Sequence, residues 1–489
     1  MQISRQQLVS DNESSRPDAA RTGQPWVPTA RNARWWLLAA CLVLLACRLA
    51  LMLFAPLADT TEARYGEIAR QTASNGFWLM PHMDPQTPFF AKPPLSTWFS
   101  AASMQLFGIN EFAARLPALL LSLLTIGIAL AFAKELRLRE RWLVVPVLAS
   151  APMFFISAGA VMTDAAQMTV ITAALYFAWR ALDAADRARG RRWRLAFWAM
   201  IGIGALSKGL ATWALIGLPL IAFALVQRRP LQMLRQVFDW SGIAIAIALF
   251  LPWYLAAEHD YPGFINYFII GEHFSRFLVP GWAGDRYGTA HREPLGAIWV
   301  FWAGAVLPWL GVFFSELWPI VRGRRRAMAP LPCFLWCATL APLVFFTVSR
   351  NIISTYALTA VPPFAVLVAH WLDNRPQQTR HRAAAGLLAY SLVALALTPL
   401  VIRQAGANSE RALVRTFERL AGPGAQLLYS AAPSFSSSFY THGTLRRIDA
   451  GTPVAAGNFV VVDNEEVKRQ AIPDSAVRFA GKLRTLVEK

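Results

Sequence analysis

Charge is scarce in this chain. Asp, Glu, Lys and Arg make up 16% of its 489 residues, against 55% apolar ones. That excludes an ordinary soluble protein, because the apolar residues also gather in blocks of about 20, the length that crosses a bilayer as helix. Short alternating segments are missing, which excludes a membrane β-barrel. Cysteine is limited to Cys41, Cys47, Cys333 and Cys337, all inside apolar blocks. Cys333 and Cys337 are one helical turn apart, but no His or further Cys completes a metal set, so all four read as small buried hydrophobes. No cleavable signal pattern precedes the first block. Residues 1–34 are a polar tail, expected to be cytoplasmic, and the first span is expected to act as an uncleaved anchor.

What is present is a succession of spans. They fall near 35–56, 113–133, 142–160, 163–180, 195–207, 209–226, 238–257, 294–319, 331–348, 355–372 and 383–402. The expected fold is a polytopic α-helical membrane protein of about 11–13 transmembrane helices. Short helices are expected in its loops at 62–73 and 94–106. Bases outnumber acids, 47 Lys and Arg to 29 Asp and Glu, for a net charge of +18. The bases sit in short loops between spans, so they bear on topology and not on nucleic acid. Alternate loops 134–141, 180–194, 228–235, 322–326 and 373–382 hold 20 of them, which puts that set in the cytoplasm by the positive-inside rule. The loops 57–112 and 258–293 then face outward from a membrane unit of 35–403. Past Arg403 the composition changes. Segments 425–430 and 458–463 read as buried strands, and 463–471 as a charged helix. Residues 404–489 are therefore expected to form a small outward α/β domain, a cap more than a catalytic unit.

Unusual polar residues collect on the outward side. Asp59, Glu62, Arg64, Tyr65 and Glu67 follow the first span, and Glu62 and Tyr65 share a face if the segment is helical. Lys92 precedes two prolines that fix its backbone. Asp164 opens a span; a carboxylate at that depth is a functional candidate, and also a favourable N-terminal helix charge. Lys208 needs an anionic partner or a route to water, with snorkelling as the plain alternative. Glu272, His273 and Arg276 lie in GEHFSRF. Adjacent Glu272 and His273 cannot both face one ligand from a regular helix. A divalent metal held by His273 is an open alternative, though no two-His spacing accompanies it. Arg276 and Arg292 suit phosphate, because guanidinium forks match its oxygens. Arg350 and Tyr356 add an outward cation and a phenol. Many cations with several carboxylates at one membrane face suit a phosphorylated lipid. A departing sugar phosphate needs positive charge, and a hydroxyl acceptor would need a carboxylate base.

The blocks TEARYGEIAR, FFAKPPLSTW, LFGINEFAARLP, MTDAA, LSKG, EHFSRF and STYAL, in that order, resemble the bacterial GT-C membrane glycosyltransferases of the protein O-mannosyltransferase-like superfamily. Among these, they are most similar to the lipid A 4-amino-4-deoxy-L-arabinose transferases. The likeness covers most of 35–375. It implies a polyprenyl-phosphate sugar donor, no nucleotide sugar, and catalysis at the periplasmic face of the bacterial inner membrane. The acceptor it implies is lipid A or another envelope glycolipid. By position, Asp164 matches a catalytic carboxylate, with Asp59 or Glu62 as the other. Arg64, Lys92, Lys208 and Arg276 match the donor-phosphate set, and Tyr65, His273, Arg350 and Tyr356 the substrate cavity. Two departures stand out: Thr61 replaces the first acid of the usual Asp-Glu pair, and Ala91 the acid before the KPP lysine. They leave the sugar open between aminoarabinose and a hexosamine. One alternative is transfer to protein from the same donor type. Another is a flippase, which should show repeated halves and mid-membrane polar residues; neither is evident.

Overall fold

The computed structural model of the chain describes residues 30–288, 291–322, 328–422, 425–430, 432–449, 452 and 454–489. Most of the expected N-terminal tail lies outside these residues. Helical elements occupy every stretch read as a span. Six are single helices long and apolar enough to cross a membrane: Ala33–Phe54, Glu111–Glu135, Trp240–Asp260, Pro330–Thr347, Ser354–Asp373 and Gln377–Ala407. The stretch 294–319 is not one straight span. It is two helices, Ala297–Ala305 and Leu307–Pro319, bent by 88°, where Pro308 interrupts the ladder. The remaining stretches read as spans are the helices Arg141–Ser150 and Pro152–Ser157, then Asp164–Leu182, Arg187–Lys208 and Leu210–Val226, which are shorter or less apolar than those six.

Packing explains which apolar residues stay inside. Trp302, Phe313 and Phe364 form an aromatic knot with centroids 5.0 and 5.1 Å from Trp302, and Phe334, Ala357 and Val368 are fully enclosed around it. Leu120, Leu123 and Leu124 on Glu111–Glu135 are at least half exposed, as are Leu392, Val393 and Leu400 on Gln377–Ala407. So large an apolar surface is tolerable only against lipid. The chain is a multi-pass membrane protein.

The loops sort onto two faces. On one, the Glu140 carboxylate accepts from Arg34 and Arg380, each at 3.1 Å. Asp373 accepts from the backbone N–H groups of Arg139 and Glu140 at 3.0 and 3.1 Å. This basic face gathers the arginine-rich loops. The opposite face carries helix Thr61–Asn75, a hairpin of His82–Asp84 with Thr87–Pro88, helix Leu95–Phe107 and the 258–293 loop. It also carries the C-terminal unit, a five-stranded mixed sheet. Its spatial order is Arg446–Arg447, Leu428–Tyr429, Phe459–Asp463, Arg484–Glu488, Val477–Ala480. The first three strands are parallel and the last two antiparallel. The unit docks through helix Phe435–Tyr440. There Ser436 donates from its backbone N–H (3.1 Å) and its hydroxyl to the Asp59 carboxylate. Tyr440 accepts from Leu57 N–H at 2.8 Å and donates to Glu111 at 3.1 Å. Arg411 donates to Glu111 at 2.7 Å.

Candidate functional site

Two antiparallel neighbours, Asp164–Leu182 and Arg187–Lys208, place Asp164 at a helix start and Lys208 at a helix end. Each charge thus sits at the helix pole that favours it. Lys208 Nζ donates to Asp164 Oδ1 at 2.8 Å, with both side chains under 10% exposed. Gly209 ends the helix at φ +61°, and a Cβ there would lie 2.7 Å from Phe268 and 3.1 Å from His273. Only glycine permits both the backbone turn and the aromatic contact. That contact seats the 266–275 segment, so that the His273 Nε2 lies 3.1 Å from the Lys208 carbonyl and Nδ1 2.7 Å from that of Phe268.

Asn266–Ser275 is a π-helix. Its wider turn reduces the angle between consecutive side chains, so Glu272 and His273 both line one cavity. A regular helix would have parted them. Glu272 is the hub of the site. It accepts from Lys92 Nζ at 2.9 Å, from Arg276 at 3.1 Å on each oxygen, and from the Tyr267 hydroxyl at 3.2 Å. Burial alone would raise its carboxyl pKa, but the Lys92 and Arg276 charges outweigh burial and hold it below the usual range. For Lys92 burial works downward, and Glu272 overrides it to hold the ammonium above its ordinary value. Arg276 also lies 3.4 Å from Asp285, and its buried Nε has no partner among the described residues. Asn351 braces this loop: Nδ2 donates to the carbonyls of Arg276 and Val279, and Oδ1 accepts from Gly281 N–H at 3.1 Å.

Two cavities meet here. One, of about 550 Å3, is walled by Leu210, Ala214, Leu215, Phe268, Phe277 and Phe345. The other, of about 460 Å3, is polar, with Thr60, Thr61, Arg64, Tyr65, Asp164, Asp285 and His291 in its wall. Lys92, Lys208, Arg276, Asn351 and Tyr356 line both and form a cationic waist between them. Lys208 lies 5.6 Å from the centre of the Tyr356 ring. In the wall of the polar chamber Arg64 donates to the Tyr287 carbonyl at 2.6 Å, and its buried Nε has no partner among the described residues. Tyr287 in turn ties the 279–292 loop to the first one, donating to Pro88 O at 2.8 Å and accepting from Phe90 N–H at 2.9 Å. Phe435 of the C-terminal unit closes part of the wall.

Arg64, Tyr65, Lys92, Asp164, Lys208, Arg276 and Tyr356 thus meet in the polar chamber, and His273 lines the apolar one. Arg292, read as suiting phosphate, is exposed and lines neither cavity, and three more sequence candidates line neither. Asp59 is taken by Ser436, with burial raising its pKa. Glu62 is paired with Arg115 at 2.7 Å and accepts from Val161 N–H at 3.2 Å. Burial opposes its ionisation, but Arg115 prevails and lowers its pKa. The Arg350 side chain is exposed, and Asn351 beside it is the residue turned inward. Glu272, Asp285 and Asn351 were not among the sequence-derived site residues. Glu272 stood in the EHFSRF block; no spacing pointed to the other two. Among the described residues no three His, Cys, Asp or Glu side chains group as a metal site, and both ring nitrogens of His273 already face carbonyl oxygens.

A family model described as dolichyl-phosphate-mannose-protein mannosyltransferase matches residues 91–255. The undecaprenyl phosphate-alpha-4-amino-4-deoxy-L-arabinose arabinosyl transferase of Pseudomonas savastanoi pv. phaseolicola is 31% identical over 363 residues, 70% of this chain and 62% of that protein. A Pseudomonas aeruginosa protein of the same name is 30% identical over 353 residues, 70% of this chain and 61% of its own. The chain thus spans about three fifths of the length of the curated relatives it matches. The crystal structure of ArnT from Cupriavidus metallidurans bound to undecaprenyl phosphate superposes with a TM-score of 0.76 at 20% identity. That superposition covers 93% of this chain and 98% of that one; the apo form gives 0.73. The structural likeness establishes the fold, and the sequence likeness the kinship. The chain is similar in sequence to the undecaprenyl-phosphate aminoarabinose arabinosyl transferases and shares the fold of the ArnT structure.

Proposed function

We propose that this protein transfers a sugar, aminoarabinose or a hexosamine, from a polyprenyl-phosphate donor to a phosphate of lipid A or another envelope glycolipid. The reaction takes place on the periplasmic face of the inner membrane, in the unit 35–403, with 404–489 as a cap. One observation carries the reading: the three cations Lys92, Lys208 and Arg276 stand where an apolar cavity opens into a polar one. A lipid-linked sugar phosphate has that same sequence of parts. The prenyl chain fills the apolar cavity, the phosphate takes the waist, and sugar and acceptor occupy the polar chamber.

In the reaction the bond from C1 of the sugar to the donor phosphate oxygen breaks, and its electron pair stays on the phosphate. The leaving group thereby gains negative charge, which the waist cations neutralise; such preorganised charge is a large term in catalysis. The acceptor oxygen enters C1 from the opposite side, inverting the anomeric centre. Asp164 orients that oxygen or the sugar. Its Oδ1 is already occupied by the Lys208 ammonium at 2.8 Å. That favours an acceptor already anionic at neutral pH, as a lipid A phosphate is, over a protein hydroxyl that must lose a proton. Thr61 in place of an acid at the chamber wall points the same way.

The test uses the purified full-length chain with a synthetic polyprenyl-phosphate donor bearing a labelled sugar, offered lipid A or an acceptor protein. Label should enter lipid A, and Lys92→Ala should slow this by about 100-fold or more. Label in protein alone would move the function to protein glycosylation. Donor that crosses vesicles with its sugar still attached would make the protein a flippase.

A further inference from the structure

A second cluster of cations lies on the basic face, away from both chambers. Residues 180–194 and 228–239 hold nine arginines against three aspartates. They connect the ends of Asp164–Leu182, Arg187–Lys208, Leu210–Val226 and Trp240–Asp260, so they sit where spans leave the membrane. A cavity of about 600 Å3 opens among Arg180, Asp183, Arg189, Arg192 and Trp193. Arg180 and Arg192 stack on the Trp193 ring at 4.6 and 4.7 Å from its centre. Arg180 is engaged by Glu135 at 2.6 Å and the exposed Arg189 by Asp186 at 3.2 Å, whereas Arg192 has no carboxylate partner among the described residues. Beside it a smaller cavity of about 330 Å3 is shared by Arg187, Arg194, Gln232 and Arg235. Helix Pro230–Val237 forms its outer wall, and no residue of that helix is buried. Leu231 and Leu234 point outward at 72% and 58% exposure, and Trp240 follows at 77%. Arg187 locks helix and loop together by donating to the Phe238 carbonyl at 3.0 Å.

We propose that this face is a headgroup site for an anionic phospholipid, with the phosphate between Arg189 and Arg192 over Trp193. Helix Pro230–Val237 lies in the interface with Leu231 and Leu234 among the acyl chains. Charge selects the occupant: six surplus positive charges at a bilayer boundary attract an anionic surface. A short helix with exposed leucines flanked by arginines is how a chain lies in that boundary. Arg192 is held flat on Trp193, with less side-chain freedom left to lose on binding phosphate.

The test is native mass spectrometry of the full-length protein exchanged into detergent with phosphatidylglycerol or phosphatidylcholine. Phosphatidylglycerol should be retained and phosphatidylcholine lost. Arg189→Gln with Arg192→Gln should lower phosphatidylglycerol retention on the order of 10-fold. A control pair of exposed arginines on the opposite face, Arg446→Gln with Arg447→Gln, should leave it unchanged. A second variant, Leu231→Gln with Leu234→Gln, should lower retention with all arginines present. Equal retention of the two lipids, or equal loss in the control pair, overturns the site. None of these readouts depends on sugar transfer, so failure here leaves the catalytic reading untouched, and the reverse also holds.

Discussion

Glu272 occupies the place between Lys92 and Arg276 that a donor phosphate would share. Replacing it with Gln leaves two partly buried cations facing each other without their carboxylate, a change that costs on the order of 1–3 kcal/mol. Glu272→Gln should therefore lower the melting temperature of the purified protein. Added polyprenyl phosphate should restore more of it than it adds to the wild type, because phosphate then supplies the missing anion. An equal thermal shift in both proteins would show that lipid phosphate does not bind at the waist. His273 supplies a pH test. Burial holds its imidazole below the usual pKa, against the pull of two carbonyls. The folded state then prefers neutral His273. Its contribution to stability is complete above the unfolded value of about 6.5 and is lost as pH falls through the lower folded value. The melting temperature should drop less between pH 7.5 and 5.5 in His273→Gln than in the wild type, as differential scanning fluorimetry would show.

Single side chains also decide how elements join. Arg115 reaches from Glu111–Glu135 to the end of the first helix and donates to the carbonyls of Met52, Ala55 and Pro56 at 3.1, 2.6 and 3.2 Å. It thus satisfies helix-end carbonyls that have no partner of their own, while pairing Glu62. Arg115→Met should cost roughly 3–5 kcal/mol by stranding Glu62 and those carbonyls. Glu62→Gln, which keeps the shape, should cost less. Comparing the two by thermal melting would separate a structural Glu62 from a catalytic one, since a catalytic Glu62 would lose activity in Glu62→Gln with stability kept. The elements themselves were largely readable in advance. The short helices expected at 62–73 and 94–106 are Thr61–Asn75 and Leu95–Phe107, because capping and apolar spacing are local signals. Two things were not readable: the 88° bend at 306 and the π turn that lets Glu272 and His273 face one cavity. The bend falls at Pro308, whose effect on a span depends on what packs around it, and the π turn follows packing against other helices; a pattern of apolar residues is nearly the same for a straight helix and a distorted one.

At the scale of the whole molecule the C-terminal unit is part of the chamber wall. Phe435 lines it, and Ser436 next to it binds the Asp59 that precedes Thr60 and Thr61. Loosening the dock with Ser436→Ala and Arg411→Met should raise hydrogen exchange in 435–440 and in 59–64 together. It should weaken acceptor use more than donor binding, since the donor waist lies on other elements. Exchange that rises in 435–440 alone would mean that the unit rests on the chamber without shaping it.

Spans, the grouping of basic loops, and seven of the residues lining the polar chamber were accessible from the amino-acid order alone. Hydrophobic length, loop charge and short motifs are properties of neighbouring residues. Beyond Asp164, which carboxylates the folded site keeps was not accessible. Asp59 and Glu62 are withdrawn by Ser436, 377 residues along the chain, and by Arg115, 53 residues along. Glu272 is brought in by Lys92, 180 residues before it. A buried charge goes where its partner is, and only the folded chain puts those partners in place.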